Sequence, residues 1–522
     1  MSIRNVLFIM CDQLRWDHLS CYGHPHLETP NIDALARRGV LFENAFVQAG
    51  VCVPSRMSYY TGRYVSSHCS TYNRVPLPIG ERTLGEYLRD AGRELVLAGK
   101  THVIPDEEGL ARLDIDGQSE LGVLIRRGSF VEVDRYDGHH EPHGGTRYGD
   151  WLRSKGYASE HPWTDYVISV VDDEGSVRSG WNMRYVKHPS RVKEEHSETA
   201  YMTDQAIRFI EGKGDEPWAL HLSYVKPHWP YVAPAPYHAM YTPADCLPVV
   251  RTEAEKVDAH PVLAAYRRLE ESVSMATDEA VATVRPAYQG LIKQLDDHIG
   301  RLWQVLERTG RDRDTLVIFT ADHGDFLGDH WLGEKDMFYD TVQRVPFIAY
   351  DPSSAADATR GTREERFVES VDVVPTILDA FGLAPQRHRV EGVSLLPLLR
   401  GGSVPQWRDA VVSELDYSFK EARLMLGRAP DACHGKMIRD HEWKYVWWQD
   451  LPPMLYNLRE DPLEMHDLGR DPRFERVRER MKEHLFEWLA RCKRRTTITL
   501  EQIEQGTGPA AYKRAGVFYG VW

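Results

Sequence analysis

Short apolar runs alternate with stretches of helical spacing over most of the chain. The runs are Val6–Met10, Leu95–Ala98, Trp218–Ser223, Leu316–Thr320 and Pro346–Tyr350. Unbroken runs of this length suit strands buried on both faces, as in a parallel sheet. Between them the pattern is helical. In TPNIDALARRG, Pro30 or Asn31 opens a helix and Gly39 closes it. Leu84–Ala91, Glu198–Glu211 and Ala287–Arg308 also have helical spacing. Strands alternating with helices predict an α/β fold, a large mixed or parallel sheet flanked by helices.

The texture changes near residue 405. VVSEL, KMIRD, WKYVWW and MLYNL follow in close order, and then a helix over Arg476–Arg491. This predicts a small antiparallel sheet with one helix. The domain reading is an α/β unit over 1–404, with 104–190 as an irregular insertion. A C-terminal α+β subdomain covers 405–495. A tail over 496–522 ends in Phe518, Tyr519 and Trp522, aromatics placed to meet its own domain or a partner subunit.

Length and composition narrow the class. The chain has 522 residues, 42% hydrophobic and 27% charged, as in an ordinary globular protein. A net charge of −14 argues against nucleic-acid binding but leaves room for a locally positive pocket. Its seven cysteines are odd in number, scattered and without a CxxC pair, so reduced thiols in a cytoplasmic protein are expected. Val6–Met10 is too short for a signal-peptide core, and no run reaches the roughly 18 apolar residues of a membrane span.

Candidate chemistry sits at strand ends. The run VLFIM leads to Asp12-Gln13, and TLVIFT leads to Asp322-His323. Ligands in open α/β sheets bind outside the carboxyl ends of strands, so the two pairs can meet there. Three oxygen donors and an imidazole suit a hard or borderline divalent ion. The plain alternative is that each Asp caps a helix. A third element is VCVPSRMSYYTGRY: Pro54 suits a first helical turn, and Arg56 lies one turn beyond Cys52. A helix N-terminus and a guanidinium both favour an anion there. On its own, Cys52 also reads as a buried thiol behind a turn.

Cys52-Val-Pro-Ser-Arg56 followed by Thr61-Gly-Arg63 resembles the signature of the type I sulfatases. The chain also resembles the bacterial phosphonate monoester hydrolases of the same alkaline phosphatase superfamily. The likeness continues through GKTH at 99–102, KPHWPY at 226–231, ADHGDFLGDH at 321–330, SVDVVPTILDAFG at 370–382 and LYNLREDPLEMHDL at 455–468. It implies an alkaline-phosphatase-like fold, with Cys52 oxidised to formylglycine (3-oxoalanine) by formylglycine-generating machinery. Asp12, Gln13, Asp322 and His323 would hold one divalent metal. Arg56 would orient the hydrated aldehyde, Lys100 would bridge nucleophile and substrate, and His102 would act as base. His228 and Lys335 would bind the sulfate and aid the leaving group, and Asn73 would line the site. A small-molecule ester as substrate and a homo-oligomer, a dimer or a dimer of dimers, complete the expectation.

Departures from the pattern adjust the reading. Many sulfatases carry Asp-Asp and Asp-Asn where this chain has Asp12-Gln13 and Asp322-His323. An imidazole shifts preference from Ca²⁺ towards Mn²⁺. The phosphonate enzymes share these pairs but carry uncharged residues at the positions of Lys100 and His102. Sulfate monoesters, aryl sulfates above all, are therefore the expected substrates, with phosphonate monoesters and phosphodiesters secondary. The competing readings are a dedicated phosphonate monoester or phosphodiester hydrolase and an inactive anion-binding protein. Trp229, Tyr231, Trp331 and Tyr339 are placed to line an apolar leaving-group site, or to pack.

Overall fold

The computed structural model describes residues 3–138 and 146–508. The tail aromatics Phe518, Tyr519 and Trp522 lie outside the described residues. Eight strands form the main sheet: β1 (Asn5–Asp12), β2 (Val40–Phe42), β3 (Leu95–Gly99), β4 (Phe130–Arg135), β5 (Ala219–Pro227), β6 (Thr315–Ala321), β7 (Phe347–Tyr350) and β8 (Thr362–Glu364). Their order is β8-β2-β7-β6-β1-β5-β3-β4. All neighbours are parallel except at β7, which runs antiparallel to β2 and β6.

Strand β1 is central, and all eight of its residues are buried. Both sheet faces are covered, as its unbroken apolar run requires. On one face, His221 of β5 meets Tyr60 of the Cys52–Thr61 helix. On the other, Tyr224 of the same strand meets Thr203 of the Glu198–Gly212 helix. The odd–even switch is the pleat of a strand sandwiched between helix layers. Burial of Leu7, Phe8, Ile9 and their neighbours contributes about 1.5–3 kcal/mol per large side chain.

Strand and helix positions follow the hydrophobic pattern closely. The Pro30–Arg38 helix ends on Gly39 as expected, and the helix expected over Ala287–Arg308 starts earlier than its apolar stripe, at Asp278, capped by Thr277. The expected irregularity of 104–190 is interrupted by β4 at the sheet edge. In FVEVDR only Phe130 and Asp134 are buried, so no continuous apolar run marks it. Helices also occupy Glu107–Arg112, Glu120–Arg126 and Arg147–Ser154.

The C-terminal strands Val411–Asp416, His434–Arg439, Trp443–Trp448 and Leu451–Asn457 form an antiparallel sheet. Met481 and Leu485 of the Glu475–Arg491 helix pack on one of its faces. The other face grips the loop after β6. Trp448 packs beside Phe338, and Lys444 Nζ reaches the Phe338 carbonyl at 2.8 Å and Asp340 at 2.6 Å. That loop bends through left-handed backbone at Leu327, His330, Trp331, Glu334, Asp336 and Met337. Non-glycine residues adopt this conformation at a cost, so the clamp holds a contorted segment in place. Among the described residues, no helix is long and apolar enough to cross a membrane.

Gly99 shows how tightly the sheet end is built. Its φ is +109°, and a β-carbon there would lie 2.0 Å from the Ser223 carbonyl oxygen of β5. Gly99→Ala is expected to lower the unfolding free energy by about 3–5 kcal/mol, from overpacking and left-handed strain together. Chemical denaturation would read this as a lower midpoint at unchanged slope; an unshifted midpoint would contradict the packing described.

Candidate active site

Four adjacent parallel strands, β6, β1, β5 and β3, bring their carboxyl ends to one place. Asp12 ends β1, Asp322 follows β6, Ser223 lies in β5 and Lys100 follows β3. The Cys52–Thr61 helix aims its first residue at them. Its N-terminus is held by Asn73, whose Oδ1 accepts the Val53 N–H at 2.9 Å. Ser55 Oγ donates to the Asp322 carbonyl, tying the helix to the end of β6.

Arg56 binds the assembly together. It is wholly buried, with Nε 2.8 Å from Asp322 and Nη2 3.2 Å from Asp12. Its Nη1 donates to Ser223 Oγ at 2.8 Å and to the Lys100 carbonyl at 3.0 Å. Burial opposes its charge, and Asp322, Tyr60 and Asp12 more than offset this, holding the guanidinium pKa well above its usual value.

Cys52 Sγ lies 3.2 Å from His323 Nε2, 3.1 Å from Lys335 Nζ and 3.9 Å from Asp12 Oδ1. Asp12, Cys52, Asp322 and His323 each offer one donor atom, all within 4.8 Å of one another and all buried. Two buried carboxylates, an imidazole and a thiol so close together are a donor set that a divalent cation can satisfy. His323 presents Nε2 to this centre because Nδ1 bonds the Gly324 carbonyl at 2.8 Å. Burial lowers the His323 pKa, but Asp322 and Cys52 raise it further, to about 9.

The remaining cations face the same point. Lys100 Nζ is 2.6 Å from Asp12 Oδ2. Lys335 Nζ touches Gln13 Oε1 at 3.2 Å and His228 Nε2 at 3.0 Å as well as Cys52. His228 Nδ1 bonds the Trp229 carbonyl at 2.6 Å, which leaves Nε2 for the pocket. Burial and Asp12 push the Cys52 thiol up, and Lys335, Lys100 and His323 outweigh them, so its pKa falls below the usual value. Asp12 is likewise held well below the carboxylate range, since Lys100, His228, Arg56 and Lys335 overcome its burial. A protein of net charge −14 thus gathers three fixed cations, Arg56, Lys100 and Lys335, around Asp12, Asp322 and position 52.

The sequence candidates largely converge. Asp12, Asp322, His323, Cys52, Arg56, Lys100, Lys335 and His228 meet around one centre. Gln13 stands beside them with its amide on Lys335 and Asp325. Asn73 acts on the helix backbone. His102 is buried two residues past Lys100, in left-handed backbone whose N–H is held by Asp137. Tyr231 donates to Asp325, Trp331 to the Thr252 carbonyl, and Tyr339 pairs with Tyr456, so these three aromatics pack or bond rather than stand open. Ser223, Asp137 and Asp325 are contributors that sequence reasoning misses; only Asp325, inside ADHGD, carries any motif signal.

Comparison with known proteins agrees with this geometry. The Sulfatase family model matches residues 4–112 and 126–383, and a model described as N-sulphoglucosamine sulphohydrolase, C-terminal, matches 328–491. A multifunctional alkaline phosphatase superfamily protein of Trinickia caryophylli is 33% identical over 97% of this chain and 99% of its own length. An arylsulfatase of Clostridium perfringens is 28% identical over 89% of this chain and 90% of its own. The phosphonate monoester hydrolase of Silicibacter pomeroyi superposes with a TM-score of 0.85 at 30% identity, covering 96% of this chain and 98% of that one. That of Agrobacterium radiobacter gives 0.81 at 32% identity, covering 93% and 95%. The chain therefore belongs to the sulfatase family of the alkaline phosphatase superfamily.

Proposed function

We propose that the protein hydrolyses sulfate monoesters, aryl sulfates first among them, and cleaves phosphonate monoesters and phosphodiesters as further substrates. The observation that carries the reading is the convergence of Lys335, His323 and Asp12 on the side chain at position 52. A nucleophile there faces fixed cations where a tetrahedral oxyanion must be held. Lys100, a second cation at the Asp12 carboxylate, favours sulfate as the primary substrate. The phosphonate monoester hydrolases among the similar structures favour the second reading, a hydrolase whose main substrates are phosphonate monoesters or phosphodiesters.

The chain's own residues supply most of the chemistry. Arg56 fixes both carboxylates and the helix that carries position 52. Lys335 and Lys100 offset negative charge on nucleophile and substrate oxygens. His228, with Nδ1–H held by the Trp229 carbonyl, serves the leaving-group oxygen only as the imidazolium, donating from Nε2. His102 takes the role of base, and Asn73 keeps the helix N-terminus aimed at the site. Asp12, Asp322 and His323, with Gln13 beside them, would hold a divalent ion, Mn²⁺ before Ca²⁺, which supplies Lewis acidity and lowers the pKa of a bound hydroxyl. Conversion of Cys52 to formylglycine by the host's machinery supplies a hydrated aldehyde, so one hydroxyl can attack and the other can later expel the anion without water attacking sulfur.

Cys52→Ala is expected to lower turnover of 4-nitrophenyl sulfate by at least about 1,000-fold while leaving the denaturation midpoint unchanged. The wild-type peptide containing position 52 is expected about 18 Da lighter than its sequence mass. Wild-type rates in the alanine variant would end the mechanism. Rates on 4-nitrophenyl sulfate and on a phenylphosphonate monoester decide between the two substrate readings; a higher kcat/KM on the phosphonate would favour the second.

Metal uptake has a signed pH dependence. With Cys52 unconverted, His323 is protonated below about pH 9 in the metal-free protein and must lose that proton to bind an ion. Its raised pKa opposes binding as pH falls. Mn²⁺ affinity should strengthen by up to about tenfold per unit between pH 7 and 9, from this one proton. Titration calorimetry in that range tests it, and a flat profile would contradict the assignment of His323.

A further inference from the structure

Just past β5, the successive carbonyls of His228, Trp229 and Pro230 are shared by two side chains. Lys226 Nζ donates to the outer pair, to His228 at 3.2 Å and to Pro230 at 2.8 Å. The middle carbonyl, of Trp229, holds His228 Nδ1 at 2.6 Å. The imidazole thus rests on a carbonyl whose neighbours on both sides are gripped by one ammonium. Its Nε2 stands 3.0 Å from Lys335 Nζ, on the pocket side. Without Lys226 the turn is free to swing the Trp229 carbonyl, and the ring would turn with it.

Lys226 is itself placed from the far side. It is buried, and its ammonium lies 3.1 Å from Oε1 of Glu198, also buried and the first residue of the Glu198–Gly212 helix. Glu198 Oε2 accepts the Tyr136 hydroxyl at 2.8 Å and the Trp163 indole N–H at 3.1 Å. An indole N–H can only donate, so Oε2 is committed to that side and Oε1 to the lysine. A buried ammonium needs both charge and hydrogen-bond partners, and the turn that carries His228 supplies two carbonyls for it. The path from Glu198 to His228 runs through neither the proposed metal ligands nor position 52.

We propose that Lys226, held by Glu198, is a positioning residue that aims His228 at the leaving-group oxygen. The inference rests on the role of leaving-group acid given to His228 in the proposed function. A merely structural role would have the buried pair hold the helix against the sheet end, with equal consequences for every substrate.

The two roles separate by leaving group. A general acid matters most where the departing oxygen is most basic, so phenyl sulfate depends on it more than 4-nitrophenyl sulfate does. Lys226→Met keeps the aliphatic stem and removes the ammonium. In the full-length, metal-loaded enzyme it is expected to lower kcat/KM by about 30–100-fold on phenyl sulfate and by no more than about fivefold on 4-nitrophenyl sulfate. Added to His228→Ala, it should change the phenyl sulfate value by less than about twofold, since the group it positions is gone. Equal losses on the two substrates, or an undiminished loss on top of His228→Ala, would overturn the proposal.

Glu198→Gln is the second variant, and it decides if Lys226→Met does not fold. The Trp163 N–H keeps the amide oxygen, so the amide NH₂ is set against the ammonium. A selective loss of about 5–20-fold on phenyl sulfate is expected, and equal losses on both substrates would sink the idea. His228→Ala keeps the inference distinct from the reading it rests on. An unselective loss in that variant would defeat the acid role of His228 and the inference with it. A selective loss there, beside an unselective one in Lys226→Met, would overturn the inference alone. If phosphonate monoesters prove the better substrates, the phenyl and 4-nitrophenyl esters of phenylphosphonate give the same comparison. A crystal structure of Lys226→Met reads the device without turnover: the Trp229 carbonyl and the imidazole should be displaced, and an unmoved His228 would contradict the proposal.

Discussion

The site depends on one buried cation. Arg56 lies between two carboxylates from strands far apart in sequence, and it also bonds Ser223 and the Lys100 carbonyl. A buried guanidinium must be fully paired, and leaving buried partners uncompensated typically costs about 3–5 kcal/mol. Pairing Arg56 therefore draws together the ends of β1, β5, β6 and the segment after β3, and it docks the helix that begins at Cys52. The same four bonds that satisfy the charge set the spacing of the donor atoms around position 52.

A second layer of constraint comes from the C-terminal sheet. Lys335 sits in a loop bent through several left-handed residues, a shape the chain would not hold unaided. Lys444 and Trp448 press on Phe338 and Asp340 a few residues further along. The C-terminal unit thus supports the ammonium that touches the side chain at position 52, although none of the residues proposed for the chemistry lies within it. Cationic charge is concentrated in the pocket while the molecule as a whole is acidic. An anionic substrate is then favoured inside the pocket and weakly repelled elsewhere.

Much of this was legible in the sequence, for physical reasons. Strands buried on both faces must be apolar throughout, so β1, β3, β5, β6 and β7 announced themselves, and the polar residues just after β1 and β6 marked the ligand-binding edge. Cys52 and Arg56 could be paired because one helical turn separates them. What stayed hidden depends on long-range geometry. Strand β4 lies at an edge and lacks a continuous apolar run. Ser223 is an ordinary hydroxyl within an apolar strand until Arg56 reaches it. Asp325 reads as one more acid in a loop until the fold sets it against Gln13, Tyr231 and the Leu327 N–H. Tyr231 reads as an aromatic wall, yet its hydroxyl is spent on Asp325.

The central claim is that position 52 and three ligands from distant parts of the chain enclose a single cation. Anomalous diffraction at the absorption edge of Mn²⁺, from crystals grown with that ion, tests it most directly. The account predicts one strong peak among Asp12, Asp322, His323 and the side chain at position 52. A peak elsewhere, or density at position 52 turned away from the three ligands with no ion between them, would contradict it.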